Sequence, residues 1–481
     1  MTLFLGIDIG TSGVKAALVD ADDAVRAEAT SPLSVDRPRP LWSEQDPDAW
    51  WRAVAATLDR LAEDHPVAMR EVAAIGLSGQ MLGVALLDGA DRPIRPALLW
   101  NDGRAGAECR ELEEAVADFA GVTGARPMPG FSAPKLRWLA RHERNSLAAA
   151  RRILLPKDYV RLKLTGEAAS DGADASATLL VDARAGTYHD GILAACGVER
   201  SQLPPIVPSD AVAGRLRPDL ARPWGLKAGL PVAGGAGDNM AGAVGAGVVE
   251  RGGAYIGLGT SGVYFVANDA FRPARDRGMH THRHAVGGLF AQHGVVLSAA
   301  ASLSWIAELA GADIASLVRS VEAAPLRSAE TPVFTPYLAG ERTPHDDPAL
   351  TGTLSGLTFS TTLRHLVQGA MEGVALALAD CDRALSSEAV IESVALIGGG
   401  ARSRFWADLV ASAIGRPVHA PESAAVGPAL GAARLARKAV GGPLIAKPSA
   451  LAYAAEPRPD LVEALAAKRA AFAAHLGIAR P

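Results

Sequence analysis

GIDIGTSGVKAAL, from Gly6 to Leu18, and YIGLGTSGVYFVA, from Tyr255 to Ala267, share the pentapeptide GTSGV in one context. Each copy follows an apolar run rich in β-branched residues and opens a second such run. That pattern is strand, glycine-rich tight turn, strand: a β-hairpin whose turn exposes backbone N–H groups. The same context near the start of each half of a 481-residue chain reads as an internal duplication. The second copy places a domain boundary near Val248, dividing the chain into 1–247 and 248–481. A prior of roughly 150 residues per domain allows three domains or two large ones.

Outward from these hairpins, helix and strand signals alternate. Asp46-Pro47 has the form of an N-cap followed by proline at the first helical position, and Trp51, Val54, Leu58 and Leu61 follow at helical spacing. Val72 to Leu87 reads as two short strands about the turn Ser78-Gly79-Gln80. Leu363 to Leu385 reads as a helix with Leu366, Ala370 and Val374 on one stripe. Val394 to Ile397 reads as a buried strand, followed by Gly398-Gly399-Gly400 and a helix carrying Phe405, Leu409 and Ala413. Such alternation implies α/β architecture.

Composition narrows the function classes. Hydrophobic residues make up 49% and charged residues 21%, a globular balance. Lys+Arg 48 against Asp+Glu 52 leaves a net charge of -4, so no basic excess exists for nucleic acid or an anionic membrane, and neither is an expected partner. Cys109, Cys196 and Cys381 are odd in number and far apart, which argues against a disulfide framework and for a reducing cytoplasm. No signal-peptide run is present around Asp8 and Lys15. The small-sided stretch Ala241 to Val249 is too short to span a bilayer.

Gly257-Leu258-Gly259-Thr260-Ser261-Gly262 fits the string of a dinucleotide site, whose mechanism needs a helix directly after the glycines. The β-rich run Val263 to Val266 follows instead. A P-loop lysine is also missing, which leaves a pair of Thr/Ser-bearing turns able to hold phosphate through amides and hydroxyls. Asp8 sits between Ile7 and Ile9, where an acid is costly unless paired or set against a cation. Its functional reading is a Mg²⁺ ligand beside the β- and γ-phosphates. Lys15 either neutralises phosphate charge or is solvated. Asp238, after Gly234-Gly235-Ala236-Gly237, stands at a helix start, where it could cap the helix or accept a proton from an attacking hydroxyl. His280-Thr281-His282-Arg283-His284 would put three imidazoles on one side of a strand, but without neighbouring acids it reads as a solvated edge strand rather than a metal site. Trp50-Trp51 reads as core packing, and Glu341 to His345 as a polar loop without assigned chemistry.

With these residues in view, the chain resembles the FGGY carbohydrate kinases, and among them their bacterial xylulokinase branch. The resemblance runs through PLWSEQDPDAWW, LLWNDGRA, LLPKDYVRLKLTGE, GGAGDNMAGAVGAG, YLAGERTPHDDP, LIGGGARSRFW and VGPALGAARLA, about residues 1 to 440. GFSAPKLRWLARH from Gly130 is similar to the first family signature. Gly352 to Glu372 is similar to the second, with Gly369 where a slightly larger small residue is usual.

The resemblance implies an actin-like (ribonuclease H-like) ATPase fold, with two related α/β domains flanking a cleft. It implies ATP and Mg²⁺ as cofactors and a small sugar as substrate, and similar kinases are typically homodimers. Carried over residue by residue, Asp238 is the expected general base and Asp8 the essential acid and metal ligand. Thr11, Ser12, Gly13 and Lys15, with Gly259, Thr260 and Ser261, are the expected phosphate contacts. Gly399, Gly400, Ala401 and Arg404 are expected at adenosine. Gln80, Met81 and Leu82 are expected at the sugar, and Trp100, Asn101, Asp102, Arg104 and Asn239 at the sugar or the pocket wall, loop packing being the alternative for these five. Leu82 stands where xylulokinases usually carry histidine, which removes a hydrogen-bond donor. The implied reaction is phosphorylation of a ketopentose, D-xylulose to its 5-phosphate. The alternatives are another activity of the family (on L-xylulose, ribulose, a sugar acid or a polyol) or, more remotely, a non-sugar actin-fold ATPase.

Overall fold

The computed structural model describes residues 1–422, 427–445 and 450–475. The first sheet is built from β1 (Leu3–Ile9), β2 (Gly13–Asp20), β3 (Val25–Pro32), β4 (Val72–Gly79), β5 (Val212–Arg215), β6 (Pro231–Ala233) and β7 (Ala236–Gly237), in the order β5-β6-β4-β1-β2-β3 with β7 beside β4. The second contains β8 (Ala254–Leu258), β9 (Gly262–Asn268), β10 (His280–Arg283), β11 (Phe290–Val296), β12 (Val394–Ile397), β13 (Val418–Pro421) and β14 (Leu451–Ala455), in the order β10-β11-β9-β8-β12-β13-β14. Both sheets hold one five-stranded unit. β1 and β2 pair antiparallel about the first GTSGV turn, β3 pairs antiparallel with β2, and β4 and β6 run parallel to β1. β8, β9, β11, β12 and β13 repeat that pattern about the second turn. The duplication legible in the sequence is thus a duplication of topology.

The helices that place the site are α1 (Pro47–Asp64), α2 (Ser132–His142), α3 (Asp238–Gly245), α4 (Ala300–Ala310), α5 (Leu363–Ala384), α6 (Arg404–Ile414) and α7 (Gly427–Ala439). Asp46 caps α1 by accepting from the Asp48 amide, with Pro47 at the first position. The buried face of α1 carries Trp50 with Val54, Leu58 and Leu61. Trp51 is half-buried, its ring 6.2 Å from that of Trp224. Both tryptophans are therefore packing residues, and the fully buried one is Trp50.

The two halves are interlocked by one helix from each. α3 ends the first half, yet Met240, Ala241, Ala243 and Val244 pack on Tyr255, Phe265, Ala267 and Ala395 of the second sheet. α7 belongs to the second half, yet Ala429, Leu430 and Ala433 pack on Phe4, Ala17, Val19 and Ala74 of the first. The approach is close because glycines meet backbone. A Cβ on Gly6 would lie 1.9 Å from the Ala429 carbonyl oxygen, and one on Gly76 would lie 1.9 Å from that of Ala432. Where α3 and α7 cross, a Cβ on Gly431 would lie 1.8 Å from the Ala241 oxygen.

Two expectations change. Val72–Gly79 is one eight-residue strand, paired with β1 along its length, so Ser78 and Gly79 are strand residues rather than a turn. Ala85–Leu87 pairs instead with Arg152–Leu154. The strand His280–Arg283 does lie at a sheet edge, but His280, His282 and His284 are buried. Its outer rim is covered by the first half: the Thr281 amide donates to the Gly124 carbonyl (2.8 Å) and the Arg283 amide to Ser176 Oγ (3.0 Å).

The crossing makes a prediction. Gly431→Ala drives a methyl group into the α3 backbone and is expected to lower stability by about 3 kcal/mol or more in thermal unfolding. Gly242→Ala is the control. Among the described residues its Cβ would meet only Pro428 Cγ, at 3.9 Å, so that variant is expected to be neutral or slightly stabilised.

Candidate active site

Strand parity sets the site. On β1, Leu3, Leu5, Ile7 and Ile9 face one core, so Phe4, Gly6 and Asp8 share the opposite face. α7 covers Phe4 and Gly6, and Asp8 follows on that face toward the carboxyl end of the strand. On β4 the register partners of Gly6 and Asp8 are Gly76 and Ser78, and Ser78 Oγ donates to Asp8 Oδ1 at 2.9 Å. β7 runs parallel to β4 and delivers Asp238 as the first residue of α3, beyond the same strand ends. Ligands of open α/β sheets bind at such carboxyl ends. Asp238 does not close the helix cap through a later turn; its Oδ1 accepts from the adjacent Asn239 amide at 2.7 Å.

Burial raises Asp8 to about 6, against the lowering effects of the Ser78 hydrogen bond and the Lys15 charge. Burial also raises Asp238 to about 7, with the charge of Asp8 adding to the rise. The two carboxyl groups thus lie close enough to interact, and together they offer hard oxygen donors of the kind a divalent cation takes. Among the described residues no group of three or more His, Cys, Asp or Glu forms a protein cage for a metal.

The first turn fixes its carbonyls against the protein. Gln45 Nε2 donates to the Thr11 oxygen (2.7 Å), the Leu33 amide to that of Ser12 (2.9 Å), and the Gly10 amide to that of Gly13 (3.0 Å). In the second turn, the Gly259 oxygen accepts from the Ala300 amide, and the Thr260 oxygen from the Ala299 and Ala301 amides, at the start of α4. Ser12 and Thr260 are exposed at the two turn tips. At the end of β12, Gly398 has φ 90°, and a Cβ on Gly400 would lie 2.5 Å from Leu258 Cγ. Gly400 therefore has a packing role, whereas Gly399 is exposed. Ala401 is buried, its carbonyl taking the Tyr453 hydroxyl, and Arg404 is exposed beside the Tyr453 ring.

A cavity of about 170 Å³ lies where the halves meet. Met81, Leu82, Trp100, Phe131, Asp238 and Asn239 line it from the first half, and Ser261, Val263, His280, His282, His293 and Arg342 from the second. It brings together Asp238, the second turn and four of the residues expected at the sugar or the pocket wall. Gln80 and Arg104 are elsewhere. Gln80 is buried and holds the first turn, accepting from Thr11 Oγ1 (3.1 Å) and donating to Gln45 Oε1 (2.8 Å). Trp100 joins this network by donating to Thr11 Oγ1 at 2.9 Å. Arg104 is buried in ion pairs with Glu44 (2.6 Å) and Asp102 (2.7 Å) and lies 3.5 Å over the Trp42 ring, a wall-building role. Asp102 is buried in that cluster, and Asn101 is exposed.

Leu82 adopts φ 66°, a left-handed backbone unusual for leucine. Its carbonyl is held by Ser132 Oγ (2.9 Å) and by Lys135 Nζ (2.8 Å), which also donates to the Leu98 and Leu99 carbonyls. Burial lowers Lys135 to about 7. Sequence reasoning missed His280, His282, His293, Arg342 and Phe131 as cavity residues. The alternating histidines were visible, but pairing His280 with His293 needs the β10–β11 register, and their burial needs the other half of the molecule.

Duplicated sheets, a cleft between them, paired turns and a buried acid at the strand ends define an actin-like phosphotransferase architecture. The FGGY carbohydrate kinase N-terminal domain matches residues 3–245, and the C-terminal domain of that family matches 254–440. The chain belongs to the FGGY family of carbohydrate kinases. It is 44% identical over 437 residues to a xylulose kinase of Escherichia coli, covering 90% of each chain. It is 42% identical over 477 residues to a xylulose kinase of Klebsiella pneumoniae, covering 98% of each. The crystal structure of a xyloylose kinase from Brucella ovis superposes with a TM-score of 0.94 at 42% identity, covering 98% of each chain. No single helix among the described residues is long and apolar enough to cross a membrane.

The raised acid has a measurable signature. Asp238 holds its proton to about pH 7 in the folded protein against 3.8 for an ordinary aspartate, so folding is penalised where it is ionised. Asp238→Asn is therefore expected to unfold at a higher temperature than the parent at pH 8. The gap should narrow as pH falls through 7 and the parent takes up its proton. A gap that widens toward low pH contradicts the assignment.

Proposed function

We propose that this kinase phosphorylates a ketopentose, converting D-xylulose and ATP to D-xylulose 5-phosphate and ADP. The observation that carries the reading is Asp238, with its carboxyl near neutrality, at the floor of a cavity lined by the second turn on one side and by Met81, Leu82 and Trp100 on the other. The substrate class is supported by the similarity to xylulose kinases over nearly the whole chain. Residues 1–247 would carry the first turn and most of the sugar site, and 248–481 the second turn and the adenosine site. The cytoplasm, where ATP is available, is the proposed setting, in keeping with three buried free cysteines.

In this reading the terminal hydroxyl of the sugar lies against Asp238. Its oxygen forms the new bond to the γ-phosphorus, its proton passes to the Asp238 carboxylate, and the bond from phosphorus to the bridging oxygen of ADP breaks. A base near neutrality suits this task, since it is ionised at working pH yet basic enough to take the proton. The turns at Thr11 to Gly13 and at Gly259 to Ser261, with Lys15, balance the charge on the phosphates. Asp8 would hold Mg²⁺, which neutralises negative charge between the phosphates when bound. Gly399, Gly400 and Ala401, with Arg404 beside them, would receive the adenosine. Closing the two halves about the sugar excludes water and limits ATP hydrolysis.

Coupled ADP release across ketopentoses, polyols and sugar acids tests the substrate, and Asp238→Ala tests the chemistry. D-xylulose is expected to give the highest kcat/KM, and Asp238→Ala to lose at least about 10³-fold in kcat with nucleotide affinity nearly intact. Equal loss of nucleotide binding and phosphorylation contradicts the role of Asp238. A different preferred sugar contradicts the substrate.

A further inference from the structure

The two walls of the cavity are chemically unequal. The first half offers Met81, Leu82 and Phe131, and the indole N–H of Trp100 is already bound to Thr11. Beyond Asp238 and Asn239 it offers little to a polyhydroxylated ligand. The opposite wall is a cluster of imidazoles. His280 and His293 face each other in register across β10 and β11, and His282 lies two residues along the same side. Their ring centroids are 5.1, 5.4 and 5.8 Å apart. Phe131 meets His280 edge-on at 5.2 Å, so the cluster is pressed against the first half.

These rings are 5%, 1% and 3% exposed, yet His280 Nε2, both nitrogens of His282 and His293 Nδ1 have no hydrogen-bond partner among the described residues. Arg342 Nε, in the same wall, has none either. A buried polar atom left unmade costs roughly 1–3 kcal/mol, and four imidazole nitrogens together are too many to be incidental. Burial, and for His280 and His293 the charge of Arg342, holds the rings well below the usual imidazole range. Each is therefore neutral at physiological pH, with one donor and one acceptor nitrogen, the same pairing that a hydroxyl presents.

We propose that His280, His282 and His293 form a polar wall of the sugar site and bind secondary hydroxyls of the ketose, so that the second half of the chain adds to the recognition carried by the first. Domain closure then becomes part of recognition, because the apolar wall and the imidazole wall belong to different halves. The proposal rests on the ketopentose reading for the identity of the sugar.

The test uses the intact protein. His282→Phe and His293→Phe keep a ring and remove its nitrogens, while His282→Asn and His293→Asn return a donor and an acceptor. With D-xylulose varied, the Phe variants are expected to raise the sugar KM and its calorimetric Kd about 10- to 100-fold. The KM for ATP should be essentially unmoved, and the Asn variants should recover part of the loss. Unchanged sugar affinity in both Phe variants overturns the proposal. So does equal loss in Phe and Asn variants accompanied by equal loss of thermal stability, which marks a packing role. A stoichiometric metal ion that survives dialysis in the parent and disappears in the Phe variants overturns it as well. If the parent prefers another sugar of the panel, that sugar replaces D-xylulose in the same comparison. The substrate reading then fails while the wall assignment is still decided.

Discussion

The structure depends on two helices that cross with almost nothing between them. Gly431 of α7 sits against the Ala241 carbonyl of α3, and Gly245 of α3 against the Gly427 carbonyl of α7. Gly6 and Gly76 let α7 lie equally close on the first sheet. Each helix belongs by sequence to one half and packs on the sheet of the other. A side chain at the crossing would force the halves apart. Because α3 begins with Asp238, the contact that joins the halves also positions the acid at the floor of the cleft.

The electrostatics follow from the same geometry. Strand alternation gives Gly6 and Asp8 one face, and parallel pairing sets Gly76 and Ser78 beside them. The covering helix therefore ends where the acid begins. Asp8 and Asp238 are both raised by burial, and Asp8 contributes to the rise at Asp238. The protein holds negative charge at a place where it is costly by itself, an arrangement suited to bringing a cation and phosphate together.

Local pattern carried much of this into the sequence. The hairpins, the capped α1, the long α5, the glycine turn after β12 and the two acids were all legible because each depends on residues a few positions apart. The imidazole wall was not. His280 and His282 look like one rim of an edge strand until Gly124 and Ser176, more than a hundred residues earlier, are seen to cover it. Arg104 was open between a sugar contact and a pocket wall, and only the distant Glu44, with Asp102, shows it held in a buried ion cluster. Leu82 shows a third limit: its carbonyl, in a left-handed residue, is held by Ser132 and Lys135 some fifty residues on, partners that no local pattern announces.

If the sugar site is a joint product of both halves, imidazole nitrogen NMR reads it most directly. In protein labelled with ¹⁵N at histidine, D-xylulose is expected to shift the ring signals of His280, His282 and His293 together, each assigned by its own substitution. The signals of exposed His65 and His475 should stay in place. Saturating sugar that leaves all three cavity histidines unmoved would contradict the account.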